Sequence, residues 1–434
     1  MNITFLIGNG FDIGLGLKTR YEDFYDIYCK ELNTDSDNIK KFKQYLKERN
    51  DDKIKKIIDW SDFEKAFGDF SENFKGDNAE ELYLEIYEDF VERFNNYLEK
   101  QQKLIKWKNE KIIFDKMYNG VIDYYKVSKV AEKDFPNLYR TYGTEAIYNF
   151  ITFNYTNTVD KCVKILSGNK DKKVKVGRVV HVHGYIEDCM IMGVNDASQI
   201  VNQELSKSKN VVMELVKPEQ NKNSQTTFDS QATTLINNSD IICTYGMSIG
   251  ETDKKWWKLI CEWLNQNARR KVVILKHEDK YSPRFTHNFR KYQLPLKEKF
   301  LSFSEFDETV REKIDAQIYV GFNHDVFGIN LYKFEQEEAK KSETNNVYFA
   351  LDPAAHHYVI PSKIDLNDVN NAKKLYDLNK SLFPNNELNI KADNKLINSN
   401  TFKDTYLHEI DENVLKGFTK NSDSSLIEKE LIKK

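Results

Sequence analysis

Near its start the chain reads Ile3-Thr4-Phe5-Leu6-Ile7-Gly8-Asn9-Gly10, a short apolar run that leads at once into a glycine turn. A run of this kind, apolar apart from Thr4, predicts a buried strand of a parallel sheet. Glycines in the first turn after such a strand let the backbone approach a pyrophosphate, whose charge is met by the amides of the next helix N-terminus. We therefore predict that Gly8-Asn9-Gly10 is a nucleotide phosphate-binding turn that opens a Rossmann-like domain. The alternative is a tight turn without a ligand.

The residues after this turn exclude one common type of nucleotide site, that of the dehydrogenases. A dehydrogenase site needs a second strand that ends in an acidic residue about 20 positions further on. Residues 21–142 instead show a helical pattern that is charged and rich in aromatic side chains. Its clearest part has apolar residues at helical spacing, namely Tyr83, Ile86, Tyr87, Phe90, Phe94, Tyr97 and Leu98. We predict a helical insertion of roughly four to six helices here, and no dehydrogenase.

Short β-type runs return after the insertion and alternate with segments of helix length. They are Phe150–Phe153, Val179–Val182, Met190–Gly193, Ile241–Tyr245 and Val272–Leu275. This alternation predicts an α/β fold with a mainly parallel sheet, split by the insertion. We predict a nucleotide-binding domain at 1–20 and 143–335, the helical insertion at 21–142 and a small accessory region at 336–434. The polar segment Lys217–Gln231 is predicted to be a mobile loop.

Within the accessory region the composition is rich in Asn, Lys and Asp. Two short runs there, Val347–Leu351 and Tyr358–Ile360, are predicted strands. Ala372–Leu382 is a predicted helix.

Composition and charge exclude several classes of protein. The chain has 434 residues and a formal net charge of −3 at pH 7, which argues against a protein that coats nucleic acid by bulk charge. No apolar run approaches the roughly 20 residues of a membrane helix, and no signal peptide is readable. The five cysteines are widely spaced without a Cys-x-x-Cys pair, so neither a zinc ribbon nor a disulfide framework is indicated. We predict a cytoplasmic protein.

Two polar motifs follow predicted strands, where open α/β sheets place ligand contacts. Thr152-Phe153-Asn154-Tyr155-Thr156 carries an amide that can hydrogen-bond a ribose hydroxyl or hold a water, or cap the next helix. Thr244-Tyr245-Gly246-Met247-Ser248 is followed by Asp253. Ser248 and Asp253 can contact a ligand or serve as helix N-caps. The following Trp256-Trp257 pair is predicted to lie in a helix core.

A third motif, His181-Val182-His183-Gly184, ends another predicted strand. Residues two apart in a strand share one face, so we predict that the two imidazoles point the same way. Gly184 is predicted to leave space for a ligand beside His183, which is a candidate base. The pair could also bind a metal, but no third ligand stands at a recognisable spacing, so we predict none.

Two segments fit the capping box, in which a Ser or Thr is followed three residues later by Glu. They are Thr19 with Glu22, and Ser61 with Glu64. Helix capping explains both. In the second segment, Asp62 or Glu64 could instead face the nucleotide crevice.

Taken in order, these motifs resemble the AbiH family of bacterial abortive-infection, anti-phage proteins. The resemblance covers roughly residues 1–335. It rests on Ile7-Gly8-Asn9-Gly10-Phe11-Asp12, Leu17-Lys18-Thr19, Asp23-Phe24, Trp60-Ser61-Asp62-Phe63-Glu64, Phe153-Asn154-Tyr155-Thr156, His181-Val182-His183-Gly184 and Gly246-Met247-Ser248. The order is also similar to that of the sirtuin-like NAD-consuming domains of phage-defence systems. Their pattern is a Gly-x-Gly turn, a strand ending in Asn-Tyr-Asp, a His-Gly turn and a Gly-x-Ser loop.

The second resemblance implies roles for residues of this chain. Gly8, Gly10 and Gly16 match the phosphate-binding turn. Asn154 matches the asparagine that positions ribose and water, His183 the general base, and Ser248 the loop over the adenosine end. The remaining expected contacts are Asn9, Phe11, Asp12, Thr156, Gly184, Gly246 and Asp253.

The chain departs from the sirtuin-like pattern at two positions. Asp12 stands where sirtuins usually carry Ser, and Thr156 stands where the defence domains usually carry Asp. The lack of Cys-x-x-Cys pairs argues against a zinc-bearing protein deacylase. NAD hydrolysis is then the expected sirtuin-type activity.

Three hypotheses follow for the function. The first is an NAD hydrolase set off by a phage-derived trigger that the sequence does not identify. The second is a sensor that binds NAD, ADP-ribose or a related nucleotide without turnover, which the two departures favour. The third is a nuclease in which Asp12, Asp62 and Glu64 gather a metal. NAD or a related nucleotide is the expected partner, nucleic acid and membrane are not expected, and self-association stays open.

Overall fold

The protein is described here from a computed structural model. It describes residues 1–30, 36–51, 57, 60–142, 145–169, 172, 174–284, 286–336, 347–351, 357–360 and 407–410. The chain divides into two compact units, Met1–Tyr332 and Lys333–Lys434. The first unit holds the large sheet and its helices.

Six parallel strands form the sheet of the first unit. They are β1 (Asn2–Ile7), β2 (Ile147–Thr152), β3 (Lys175–His181), β4 (Ile241–Tyr245), β5 (Lys271–Lys276) and β6 (Ile318–Phe322). Their order across the sheet is β3-β2-β1-β4-β5-β6, and every pairing is parallel. β1 lies at the centre, with Ile7 opposite Thr152 of β2 on one side and Tyr245 of β4 on the other. The predicted α/β class with a mainly parallel sheet is confirmed.

The predicted strands agree with this sheet at most positions. Ile241–Tyr245 is β4 as predicted, and the runs predicted at 150–153, 179–182 and 272–275 overlap β2, β3 and β5. The strand predicted at Met190–Gly193 is wrong, because this segment pairs with no strand and hydrogen-bonds side chains through its carbonyls. β6 was missed, since periodicity does not separate an apolar run of this length from a helix segment.

The first half of the chain is mainly helical. Its helices are α1 (Gly10–Gly14), α2 (Tyr21–Tyr28), α3 (Asp37–Asp51), α4 (Trp60–Phe70), α5 (Ala79–Gln102), α6 (Glu110–Asp123) and α7 (Lys129–Tyr142). The predicted aromatic stripe lies on α5, and all seven of its residues are buried. Helices α2 to α5 enclose an aromatic core, which is completed by buried residues of the later segment 192–216. In contrast, α6 and α7 contribute to the core that covers one face of the sheet around Phe5 and Phe150.

The second half supplies the remaining helices of the first unit. They are α8 (Thr158–Gly168), α9 (Lys209–Leu215), α10 (Lys217–Asn223), α11 (Phe228–Asn237), α12 (Lys254–Gln266), α13 (Thr286–Ser302) and α14 (Glu308–Asp315). Helices α11, α12, α13 and α14 cover the other face of the sheet. The predicted core position of Trp256 and Trp257 is confirmed, since both are buried on α12.

The mobile loop predicted at Lys217–Gln231 is wrong, because the segment contains α10 and the start of α11. Pro218 lies in the first turn of α10, where its missing N–H leaves no hydrogen bond unmade. The polar side chains that indicated a loop are used inside the protein. Gln220 is buried, and its Nε2 donates to the Met192 carbonyl at 2.6 Å.

The described part of the second unit is a three-stranded antiparallel sheet. Its strands are β7 (Val347–Leu351), β8 (His357–Ile360) and β9 (Leu407–Ile410), in the order β8-β7-β9. The strands predicted at Val347–Leu351 and Tyr358–Ile360 are confirmed. The helix predicted at Ala372–Leu382 lies outside the described residues. In the parts of both units that the structure describes, no helix is long and apolar enough to cross a membrane.

Candidate functional site

A cavity of about 350 Å³ opens at the carboxyl ends of the central strands. The chain reverses its direction across the sheet between β1 and β4, and open α/β sheets bind ligands in the crevice at such a point. Most of the predicted site residues line this cavity, namely Gly8, Asn9, Gly10, Asp12, Asn154, Thr156, His183, Gly246, Ser248 and Asp253.

Three predicted contacts do not line the cavity. Phe11 is buried in the core on the sheet face. Gly16 has a φ of +93°, and a side chain there would meet Asn330. Gly184 has a φ of +63°, and a Cβ atom would lie 1.8 Å from the Cys189 carbonyl oxygen. The prediction that Gly184 leaves room for a ligand is therefore wrong, because backbone already fills that room.

The glycine turn after β1 packs directly against the turn after β4. A Cβ atom on Gly10 would lie 2.4 Å from the Gly246 Cα. The amide of Gly8 donates to the Tyr245 carbonyl and that of Gly10 to the Gly246 carbonyl, each at 2.9 Å. This backbone contact requires the glycines whether or not a ligand binds. The helix that follows the turn, α1, has five residues, and the amides of Gly8 and Gly10 already donate to backbone carbonyls. The phosphate-binding role of the turn therefore stays a prediction.

Asn9 is held in the cavity wall by Thr19. The Asn9 Nδ2 donates to the Thr19 carbonyl at 2.8 Å, and the Thr19 hydroxyl donates to the Asn9 Oδ1 at 2.5 Å. The predicted capping box of Thr19 and Glu22 is wrong, because Arg20 is the N-cap of α2 and its amide donates to Asp23. Thr19 instead joins the start of α2 to the glycine turn.

Asp12 is a buried carboxylate in the cavity lining, with 1% of its surface exposed. It accepts hydrogen bonds from the hydroxyls of Thr156 at 2.7 Å and Thr158 at 2.5 Å. Burial raises the pKa of Asp12 to about 6, although these hydroxyls act in the opposite direction. Asp12 and Thr156, the two positions at which the sequence departs from the sirtuin-like pattern, are therefore in direct contact.

Asn154 presents an unsatisfied carboxamide to the cavity. Its backbone is fixed, because its amide donates to the Thr152 hydroxyl and its carbonyl lies 3.3 Å from the His181 Nδ1. The side chain is 4% exposed, and neither its Oδ1 nor its Nδ2 makes a hydrogen bond of ordinary geometry within the described protein, although the carboxamide acts on Asp12 and lowers the pKa of that carboxyl group. Asn157, not Asn154, is the N-cap of α8, so the capping alternative is wrong. An unsatisfied buried amide costs about 1–3 kcal/mol, which a ligand or water can recover.

The two histidines have different surroundings. His181 ends β3, and its Nε2 lies 2.7 Å from an Asp160 carboxylate oxygen. His183 lies in the turn beyond the strand and lines the cavity. The predicted shared face is therefore wrong, because the strand has ended before His183. The His183 ring contacts two aromatic rings, those of Phe153 and Tyr155.

The electrostatic surroundings of His183 favour the neutral imidazole. Burial, followed by the positive charge of Lys217, lowers the pKa of His183 below its ordinary 6.5, while Asp253 acts in the opposite direction. The His183 Nε2 lies 3.7 Å from the Asp253 Oδ1, and its Nδ1 has no hydrogen-bond partner among the described residues. Asp253 is the N-cap residue of α12, but its side chain does not cap the helix. It faces His183 instead, whereas Ser248 is exposed at the cavity rim.

A buried ion pair in the cavity wall was missed at the sequence level. The Lys217 Nζ lies 2.7 Å from the Glu64 Oε1, and both side chains are 7% exposed. Helix α4 begins at Trp60, and the predicted capping box of Ser61 and Glu64 depends on the Ser61 side chain, which lies outside the described part of the structure. The alternative that Glu64 faces the crevice agrees with its place in the lining. Pro218, a first-turn residue, is the signal that could have placed Lys217 on a helix.

The acidic residues of the nuclease hypothesis do not form one cluster. Asp12 accepts from hydroxyls and Glu64 pairs with Lys217. Across the described ranges of the chain, no group of three His, Cys, Asp or Glu side chains is placed to hold a metal ion. The geometry therefore offers no support to this hypothesis.

Comparison with known proteins agrees with the family named by the motifs. Residues 4–275 match the family described as bacteriophage abortive infection AbiH. No curated protein matches the chain. The family match covers more than half of the chain and includes every predicted site residue. The chain belongs to the AbiH family of bacteriophage abortive-infection proteins.

Proposed function

We propose that this AbiH protein binds NAD in the cavity and hydrolyses its nicotinamide–ribose bond, and so stops phage growth by depleting the cofactor of the infected cell. The observation that carries the proposal is the Asn154 carboxamide, which is buried, makes no hydrogen bond of ordinary geometry to the described residues and lies in the same cavity as His183. A polar pair of this kind is suited to a ribose hydroxyl and an attacking water.

The strand order supports a nucleotide as the ligand. The order β3-β2-β1-β4-β5-β6 is that of the doubly wound Rossmann sheets, which bind dinucleotides where the order reverses. The cavity opens at this place. A cavity of about 350 Å³ lies within the range of roughly 300–1,000 Å³ that ligand sites occupy.

Hydrolysis of the nicotinamide–ribose bond needs little more than the cavity, Asn154 and His183 provide. The bond between the ribose C1′ and the pyridinium nitrogen breaks, its electron pair neutralises the ring, and nicotinamide leaves. Water adds to C1′ and loses one proton, which gives ADP-ribose. Positive charge builds up on the sugar in the transition state, so the protein must hold the nucleotide, exclude solvent and place the water.

In this scheme His183 is the base and Asn154 positions the water or the ribose hydroxyl. The low pKa of His183 keeps the imidazole neutral at pH 7, and its Nδ1 has no described protein partner. Asp253 lies on the Nε2 side, where it stabilises the imidazolium once the proton is taken. General base catalysis of this kind contributes about 10²–10⁴-fold.

The second candidate function is a nucleotide sensor without turnover. The observation that favours it is that the amides of Gly8 and Gly10 already bond to Tyr245 and Gly246. A turn with engaged amides offers less to a pyrophosphate than a dinucleotide-binding turn does. Binding of NAD or ADP-ribose in calorimetry without release of nicotinamide would favour this function over hydrolysis.

The test is release of nicotinamide from NAD by the purified chain, with and without extract of phage-infected cells, followed by chromatography. Asn154→Ala and His183→Ala are expected to lower the rate at least about 100-fold. Asn137→Ala and His287→Gln are matched controls, since both residues are exposed and lie outside the cavity. No release under either condition, or full activity of the two cavity variants, would overturn the proposal.

A further inference from the structure

Among the residues that the structure describes, no cation forms an ion pair with Asp12 in the cavity. Its two carboxylate oxygens each accept one hydroxyl hydrogen bond, which is the arrangement of an ionised carboxylate rather than of an acid. Within the described chain, no lysine, arginine or histidine forms an ion pair with it. Besides the two hydroxyls, Asn154 and His181 lower the pKa of Asp12, and the His181 Nε2 lies 2.7 Å from an Asp160 carboxylate oxygen.

The other buried charge of the cavity wall is compensated. Glu64 pairs with Lys217, and the remaining cations of the lining, Arg20 and Lys276, are exposed and half-buried. A buried carboxylate without a cation is costly. A carboxylate can accept more hydrogen bonds than the two hydroxyls supply, so a positive group that enters the cavity beside Asp12 gains an attraction that no ion pair within the described residues uses.

We propose that Asp12 is the counter-charge for a cationic ring of the ligand, so that the cavity selects an N-substituted pyridinium over its neutral analogue. This rests on the proposed function in that NAD carries such a ring. Asp12 lines the same cavity as Asn154 and His183, where the pyridinium–ribose bond is to be cleaved. The carboxylate then also stabilises the positive charge as it passes from the ring to the sugar.

A cation site at this place accounts for the acid at position 12 and for the hydroxyl of Thr156 that faces it. Asp12 lies on α1 directly after the glycine turn, and Thr156, in the loop after β2, and Thr158, the first residue of α8, hold it in place. A negative charge here opposes a phosphate group nearby. The anionic part of the ligand is therefore directed away from Asp12, which weighs against the predicted phosphate-binding role of the adjacent Gly8-Asn9-Gly10 turn.

The test uses two fragments of almost equal size, the cation 1-methylnicotinamide and neutral nicotinamide, titrated calorimetrically into the full chain. The cation is expected to bind at least about tenfold tighter, since opposite charges about 4 Å apart attract strongly near a protein surface. Asp12→Asn is expected to remove this preference and Asp12→Glu to keep part of it. Asp115→Asn, an exposed residue on α6, is the control and is expected to leave it unchanged.

Three results would overturn the inference. They are a cation that does not bind at millimolar concentration, equal binding of the two fragments, and a preference that persists in Asp12→Asn. Circular dichroism establishes that the variant is folded. The binding of the two fragments does not depend on whether the chain cleaves NAD. A cation preference that depends on Asp12 in a chain that releases no nicotinamide supports the inference while the hydrolase proposal fails.

Discussion

The substitution Asp12→Asn should stabilise the protein more at neutral pH than at mildly acidic pH. Burial raises the pKa of Asp12 from 3.8 to about 6 in the folded chain, so the folded state binds this proton more tightly than the unfolded state does. The stabilisation that comes with the proton is complete below pH 3.8 and is lost as the pH rises through 6. The difference between the two pKa values corresponds to about 3 kcal/mol at neutral pH.

The substitution tests this linkage because Asn has nearly the same shape and no charge. Integrated between pH 5 and pH 7.5, the linkage predicts that the free energy of unfolding of Asp12→Asn, relative to the wild type, increases by about 1.4 kcal/mol. Urea unfolding followed by the fluorescence of the buried Trp257 and Trp263 measures it at the two pH values. The same comparison with Asp115→Asn should show no such change. A difference between Asp12→Asn and the wild type that does not depend on pH would refute the reasoning.

Three further predictions concern the turn, the ion pair and the base. Gly10→Ala should destabilise the protein by about 1–3 kcal/mol in a thermal melt, because its Cβ would clash with Gly246. Lys217→Met should cost about 3–5 kcal/mol in urea unfolding, because it leaves Glu64 buried and unpaired. In the pH–rate profile of nicotinamide release, the acid limb of kcat/KM should lie below pH 6.5, because His183 must be neutral and its pKa is lowered.

Each of these has a matched control. Gly168→Ala should be almost neutral, since no atom lies within 4 Å of its added Cβ; equal losses at both glycines would contradict the packing argument. The double variant Glu64→Leu with Lys217→Met should recover most of the lost stability, and a further loss would count against the ion-pair argument. Asp253→Asn should move the acid limb to still lower pH, since Asp253 raises the pKa of His183; a shift to higher pH would contradict this.

The sequence predicted those parts of the fold that carry a strong local period. β4 was predicted because its short apolar run is followed at once by a glycine turn, and the stripe on α5 because its apolar residues repeat at helical spacing. The strand predicted at 190–193 and the loop predicted at 217–231 were wrong for a tertiary reason. There, Gln220 bonds to the Met192 carbonyl inside the protein, and composition does not show whether a polar side chain is buried.

Much of the candidate site was predictable because carboxyl ends of parallel strands meet at one edge of a sheet. Gly8, Asn154 and Gly246 follow β1, β2 and β4, and all three line the cavity. Gly184 shows the limit of this reasoning, since its positive φ serves a turn packed against Cys189. The role of Lys217 could not be predicted from the sequence. Lys217 contacts Glu64 across about 150 residues of chain, and neither residue lies in a motif at a strand end.

The central claim is that Asn154 and His183 surround the nicotinamide end of NAD. A crystal structure of the His183→Ala variant with NAD bound tests it most directly, because this variant should bind the nucleotide without cleaving it. The account predicts that a hydroxyl of the nicotinamide ribose lies within about 3.2 Å of the Asn154 carboxamide, with the pyridinium ring beside Asp12. NAD bound outside the cavity, or its adenine end beside Asn154, would contradict the account.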